Sequence, residues 1–209
     1  MAPSNPRRGG RRAAYPGNIR IIGGRWRSRR LPVLESEGLR PTPDRVRETL
    51  FNWLAPYLPG ASCLDLFAGT GALCLEALSR GAARVVMVER STKVAQQLRA
   101  NVALLEADGA EVQATDALDY LAGRPQPFDI VFLDPPFADA VAMISRGGAR
   151  LTAGWVKPGG LVYIEAPSVL KALPLPADWE LVKTKIAGDV GYHLARVPAG
   201  GAPGDTGYT

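Results

Sequence analysis

Ser62-Cys63-Leu64-Asp65-Leu66-Phe67-Ala68-Gly69-Thr70-Gly71 decides how this 209-residue chain folds. An apolar run to Phe67 reads as a buried strand, and the glycine turn after it opens a helix over Gly71–Arg80. The pattern then alternates along the chain. Arg84–Glu89 reads as a strand, Thr92–Glu106 as an amphipathic helix, and Glu111–Thr115 as a strand followed by a short helix ending at Gly123. Phe128–Leu133 is a further strand, with a helix within Ala138–Leu151. Gly160–Glu165 follows the turn Lys157-Pro158-Gly159-Gly160. This β–α alternation predicts a largely parallel sheet with helices on both faces, an α/β fold. Trp179–Ile186 and Val190–Val197, joined by Ala187-Gly188-Asp189, read as an antiparallel hairpin.

The opening loop also points to a ligand. Gly69 and Gly71 let the backbone approach a bound molecule where doubly wound sheets take nucleotides. Glu89, ending the second strand, is placed to accept bonds from two ribose hydroxyls, and Asp116 with Ala117, after the third strand, is placed to meet an adenine amino group. The loop is no dinucleotide fingerprint, because the third glycine of G-x-G-x-x-G would fall at Cys74. Asp65 brings negative charge where a pyrophosphate would want bare N–H groups. A ligand with a cation and an ammonium group suits it better, and S-adenosyl-methionine carries both with adenine and ribose. Asp65, Phe67, Ala68, Gly69, Gly71, Glu89, Asp116 and Ala117 are the candidate cofactor residues. The plainer alternative is a tight βα turn.

Asp134-Pro135-Pro136-Phe137 leaves the apolar run Ile130–Leu133. Phe137 can stack on a nucleobase, while Asp134 and the Pro135 carbonyl can accept hydrogen bonds from an exocyclic amino group. Pro135 and Pro136 lack N–H groups and fix φ near −65°, which holds the acceptors still. A strand running into a Pro-Pro loop with a capping Asp is the alternative. The only histidine, His193, lies in the terminal hairpin and reads as structural. No Ser or Cys has a visible base partner, and no metal-ligand spacing occurs. Cys63 and Cys74 read as small buried side chains in a reducing compartment.

Charge divides the chain unevenly. Residues 1–30 hold nine arginines and no acidic residue, which leaves 16 Lys+Arg against 20 Asp+Glu beyond them. A basic arm on a slightly acidic body reads as a tether for a polyanion, most simply nucleic acid. Residues 1–17, rich in Arg, Gly and Pro, read as a disordered arm. Asn18–Gly23 and Trp26–Val33, separated by Gly23-Gly24, read as a small hairpin bearing Arg20, Arg25, Arg27, Arg29 and Arg30. Trp26 either anchors that hairpin or stacks on a base. A helix is expected from Asp44, as its N-cap, with Val46, Leu50, Trp53 and Leu54 on one face until Pro56. Division at residues 18–60, 61–198 and a flexible 199–209 follows. With no apolar run near 18 residues and no signal-peptide core, a soluble cytoplasmic protein is expected.

Taken together, these residues resemble those of a class I S-adenosyl-methionine-dependent methyltransferase of the amino-methylating type. More closely, the chain resembles the bacterial 16S rRNA (guanine(966)-N(2))-methyltransferases. The carrying segments are 19–32, 39–54, Leu64–Gly71, Leu75–Gly81 and Val131–Phe137, within a likeness running from about residue 18 to 197. The first two are the most specific. The resemblance implies a Rossmann-like, seven-stranded sheet whose last strand is antiparallel, preceded by a β extension that contacts rRNA. It also implies that Arg40–Asp44, Thr42 included, closes over the methionine end of the cofactor, and that Arg40 joins the RNA contacts. The implied partner is 16S rRNA, within the small subunit or an assembly intermediate. Rivals are a DNA adenine-N6 or protein glutamine methyltransferase, or a non-catalytic RNA-binding assembly factor.

Overall fold

The computed structural model describes residues 17–34 and 42–199. Residues 1–16, the loop that includes Arg40, and most of the expected tail lie outside the described residues. The chain runs β1 (Gly17–Arg20), β2 (Arg30–Val33), α1 (Asp44–Leu54), β3 (Ser62–Asp65), α2 (Ala72–Ser79), β4 (Arg84–Val88) and α3 (Thr92–Leu105). It continues with β5 (Ala110–Gln113), α4 (Ala117–Tyr120), β6 (Phe128–Leu133), α5 (Ala140–Leu151), β7 (Val156–Pro167), β8 (Glu180–Ala187) and β9 (Val190–Arg196).

Strands β3 to β9 form one seven-stranded sheet in the order β5-β4-β3-β6-β7-β9-β8, and β1 pairs with β2 separately. All pairings within the large sheet are parallel except those of β9, which runs antiparallel to both its neighbours. The chain winds outward from β3 to β5, then returns to place β6 on the other side of β3. Parallel strands that change winding direction there leave a crevice at their carboxyl ends.

Alternation along the strands builds the two faces of the sheet. Cys63, Val85, Met87, Ile130, Phe132 and Tyr163 point to one face, where α1, α2, α3 and the hairpin pack. Leu64, Val86, Val131, Leu133, Val162 and Ile164 point to the other, under α4 and α5. Strands buried on both faces read as unbroken apolar runs, as Ile130–Leu133 within β6 does.

Four expectations need correcting. The strands of the hairpin are shorter than the expected runs Asn18–Gly23 and Trp26–Val33, because residues 21–29 form a connecting loop with Gly24 and Ser28 at φ of 76° and 68°. Asp44 does not cap α1. Pro43 holds that position, and the Asp44 carboxylate instead pairs with Arg20 at 2.7 Å and with Arg47. On α1 the buried aromatic is Phe51, while Trp53 is half-buried and stacks on Tyr192 with centroids 5.5 Å apart. Residues 157–160 are not a turn before β7. They bulge within the strand, where the register with β6 jumps from Phe128↔Val156 to Ile130↔Leu161. No helix among the described residues is long and apolar enough to cross a membrane.

Candidate functional site

A cleft of about 520 Å³ opens at the carboxyl ends of β3, β4, β6 and β7. Strand register decides what enters it. Asp65 pairs with Phe132, Phe132 with Tyr163, and Leu133 with Ile164. The residues next in line, Asp134 just past the end of β6 and Glu165 still paired with Tyr192 of β9, therefore stand side by side on the face that Asp65 shares. Chain segments far apart in the sequence meet here because parallel strands put all their carboxyl ends on one edge.

The βα loop after β3 is shaped by its own hydrogen bonds. Phe67 N–H donates to Asp65 Oδ1 at 3.1 Å. Gly69 N–H donates to Glu89 Oε2 at 3.0 Å, and Ser91 N–H to Oε1 at 2.7 Å, so Glu89 ties the loop after β4 to the loop after β3. Gly71 lines no part of the cleft. It stands at the N-cap of α2 with φ 77°, and a Cβ there would lie 2.6 Å from Leu98 Cδ2. Its contribution is the backbone conformation that folds the loop back. Asp116 caps α4 by accepting from Leu118 N–H at 2.8 Å, and both Asp116 and Ala117 line the cleft. Phe67, Ala68 and Thr42 line it too. A carboxylate has about four acceptor positions, so these backbone bonds leave Glu89 and Asp116 with capacity toward a ligand.

The electrostatics favour a cation. Asp65 is 2% exposed, and its carboxyl is pushed up to about 7, chiefly by burial, with Glu89 and Glu165 adding repulsion. Asp134 is pushed well above its ordinary value by burial, then by the charges of Glu165 and Asp65. Carboxylates crowded together out of water hold protons more tightly, and a positive charge delivered among them reverses that. No group of three or more His, Cys, Asp or Glu among the described residues could hold a metal ion.

At the cleft's rim, Pro135 is buried and Pro136 exposed, and the chain turns into a single 3-10 turn over Phe137–Asp139. Phe137 is 37% exposed and lines the cleft, leaving ring surface available for stacking. Asp134 and Phe137 thus share one cleft with Thr42 and Asp65.

The candidate nucleic-acid face is built differently. Arg20, Arg25, Arg27, Arg29 and Arg30 are all exposed. What fixes their hairpin is backbone chemistry against α2. The 0%-exposed Glu76 accepts from Ile22 N–H at 2.7 Å and Gly23 N–H at 2.8 Å, and Arg25 N–H donates to the Ser79 carbonyl at 2.7 Å. The approach is so close that a Cβ on Gly24 would lie 1.8 Å from that same oxygen. Trp26 is buried in the core, its N–H bonded to Ser79 Oγ, so of its two expected roles the structure has the anchor. His193 meets Thr184 Oγ1 at 3.0 Å in the terminal hairpin, away from the cleft.

Two residues that shape the site escape sequence reasoning. Glu165 follows an apolar run as Asp134 does, and that shared position is a usable signal. Glu76 offers none, because its partners lie more than fifty residues upstream.

Comparison with known proteins agrees with this geometry. The family model described as "Conserved hypothetical protein 95" matches residues 19–196. "Ribosomal RNA small subunit methyltransferase D" of Escherichia coli is 50% identical, covering 88% of this chain and 93% of that one. Its Haemophilus influenzae namesake is 47% identical over 85% and 93%. A solved Escherichia coli structure under a provisional methyltransferase name superposes with a TM-score of 0.82 at 45% identity, covering 88% of this chain and all of that one. The chain belongs to the family of the ribosomal RNA small subunit methyltransferases D.

Proposed function

We propose that this protein transfers a methyl group from S-adenosyl-methionine to the exocyclic N2 of a guanine, of the 966 type, in 16S rRNA of the small ribosomal subunit. The observation that carries the reading is the meeting of Asp134-Pro135-Pro136-Phe137 with the loop after β3 across one cleft. Family membership supports it, since the relatives carry ribosomal RNA methyltransferase names. So does the charge of the cleft, because buried Asp65 and half-buried Asp134 suit a donor with a sulfonium and an ammonium group.

Donor and base would be held as follows. Asp65 faces the cationic methionine end, with Thr42 beside it. Glu89 accepts from the ribose hydroxyls and Asp116 from the adenine amino group. Phe137 stacks on the target base, an interaction worth about 1–3 kcal/mol. Asp134 and the Pro135 carbonyl accept the two N–H bonds of N2, whose lone pair is otherwise drawn into the ring. The donor, when bound, supplies an electrophilic methyl group on a positively charged sulfur. The protein supplies alignment, together with acceptors aimed at charge that builds on nitrogen. The raised proton affinity of Asp134 lets it take the N2 proton as the new bond forms.

The base must be unstacked to reach this depth, which favours a loop nucleotide. Exposed arginines of the hairpin, with Arg40, would hold flanking phosphates, in the cytoplasm and on an assembled or assembling subunit. The test is transfer of labelled methyl to unmethylated small subunits and to naked 16S rRNA, with mapping of the product nucleotide. Asp134→Ala should lower the rate by about 10²–10³, the usual loss of one preorganised acceptor or donor at a reacting centre. Undiminished transfer by that variant would remove Asp134 from the chemistry. No transfer by the wild type would favour an RNA-binding assembly factor instead.

A further inference from the structure

Glu165 has no part in the scheme above, yet it is 5% exposed, lines the cleft, and stands one strand over from Asp134. Adjacent strands are about 4.8 Å apart, so the two carboxylates can address neighbouring atoms of one planar base. Glu165 is held in place from two sides. Tyr163 O–H donates to its Oε1 at 2.7 Å, and Thr42 Oγ1 donates to the same oxygen at 3.4 Å. Both neighbours act as donors, and the Tyr163 hydroxyl holds its proton well above the ordinary range because of burial and the Glu165 charge. A carboxylate has about four acceptor positions, so the two donated bonds leave Glu165 with capacity to accept from a ligand in the cleft.

This matters because of what the edge of each base presents beside its amino group. In guanine the amino carbon lies between N3 and N1, and N1 carries a hydrogen, so N1–H and both N2–H groups form an unbroken row of donors. In adenine and cytosine the corresponding ring nitrogen carries a lone pair. We propose that Glu165 is a specificity-determining residue that accepts the N1–H of the target base, and so selects guanine over the other amino-bearing bases. An adenine placed with its amino group on Asp134 would turn a lone pair toward Glu165. Acceptor facing acceptor leaves a buried polar pair unsatisfied, and sites built on a hydrogen bond reject analogues lacking the partner strongly. The inference rests on the guanine-N2 reading, and deepens it from "an amino group" to "an amino group beside a protonated ring nitrogen".

The probe is an RNA fragment carrying either guanine or 2-aminopurine at the target position. 2-Aminopurine keeps the amino group at C2 but has an unprotonated N1 and no O6. Wild-type protein should methylate the guanine fragment at least about 100-fold faster, as kcat/KM. Glu165→Gln keeps the shape and can turn an amide N–H₂ toward N1. It should cut the rate on guanine and raise the rate on 2-aminopurine, so that the ratio falls by at least about tenfold. A merely structural role would depress both rates together and leave the ratio alone. Comparable wild-type rates on the two fragments, or an unchanged ratio in the variant, would overturn the proposal. The wild-type comparison needs no variant to fold. Failure of the wild type on the guanine fragment and on intact subunits alike would instead sink the parent reading, and this one with it.

Discussion

The cleft at the sheet edge and the arginine hairpin carry opposite charge, and they are assembled in opposite ways. In the cleft Asp65 and Glu165 are buried, Glu89, Asp116 and Asp134 are half-buried, and the backbone loops bend around them. On the hairpin the backbone is buried and bonded, and the functional side chains are left in water. Under the proposed function one region encloses a small cation and the other lies along a long anion. The difference teaches that the hairpin's position depends on Glu76 and Ser79 of α2, with one buried carboxylate among them, whereas the cleft's charge depends on several carboxylates that oppose one another.

The sharpest way to break the comparison is Glu76→Ala. It would leave Ile22 and Gly23 N–H without their acceptor and Arg47, 3% exposed, without its neighbour at 3.8 Å. Breaking a buried ion pair from one side costs about 3–5 kcal/mol. At about 2–4 °C per kcal/mol for a chain this size, the melting temperature should fall by roughly 10 °C. Calorimetry checks it, and a destabilisation below about 1 kcal/mol, far under the range for a broken buried pair, would mean that the hairpin is held by its apolar side chains instead.

Next in size is the pH response of the cleft. The Asp65 carboxyl sits at about 7 in the fold against an ordinary 3.8, so between those values the folded state holds a proton that the unfolded chain has released. By linkage, this group's contribution lowers the stability of the ligand-free protein as pH rises from about 4 to 7, and is constant above that. A cationic donor has the reverse preference. Its affinity should rise with pH up to about 7, by no more than about tenfold per unit for each proton displaced, and then level. Titration calorimetry on either side of that value, at about pH 6 and about pH 8, reads this directly. Asp65→Asn should flatten the curve and weaken binding at the upper end, whereas a pH-independent wild type would show that the donor leaves Asp65 protonated.

These two predictions also mark what is legible in the sequence. Cleft residues can be named from it because each sits at or near the carboxyl end of its own strand, a local signal that parallel topology then gathers on one edge. Asp65, Glu89, Asp116 and Asp134 all carry that signal, and so does Glu165. Gly71 reads as a ligand contact, but its positive φ is a demand of the turn, which composition alone does not separate from binding. The hairpin is harder. Its loop takes its shape from Glu76 and Ser79 on another element, so nothing within residues 17–33 announces it. The expected Asp44 cap is absent for the same reason, since Arg20 and Arg47 offer its carboxylate stronger partners than a backbone N–H. The bulge in β7 shows the limit of turn signals: Pro-Gly-Gly bends the strand without ending it.

Replacing Arg27 and Arg29 together with Ala should separate binding from folding. Both are exposed and neither forms an ion pair among the described residues. Stability should stay within about 0.5 kcal/mol, as for other surface changes away from packed features. RNA affinity should weaken, and the slope of log affinity against log salt should become shallower by about 1 for each phosphate that no longer meets an arginine. A slope that does not change would place the RNA elsewhere.

Arg20→Ala is the smallest expected effect, and the one that tests how far the two regions are independent. Arg20 is exposed, but it pairs with Asp44, and Asp44 follows directly on Thr42 and Pro43 at the wall of the cleft. The side chains of this pair are 52% and 44% exposed, so solvent screens it and its removal should cost no more than about 1 kcal/mol. Arg47 still holds Asp44 and still donates to the Arg20 carbonyl at 2.9 Å, a backbone bond that the substitution leaves in place. Donor affinity should therefore be unchanged, while RNA affinity drops by what a single phosphate pairing contributes. If donor affinity falls as well, the Arg20–Asp44 pair transmits the occupancy of the basic face to the acidic one. The two regions would then be parts of a single binding event.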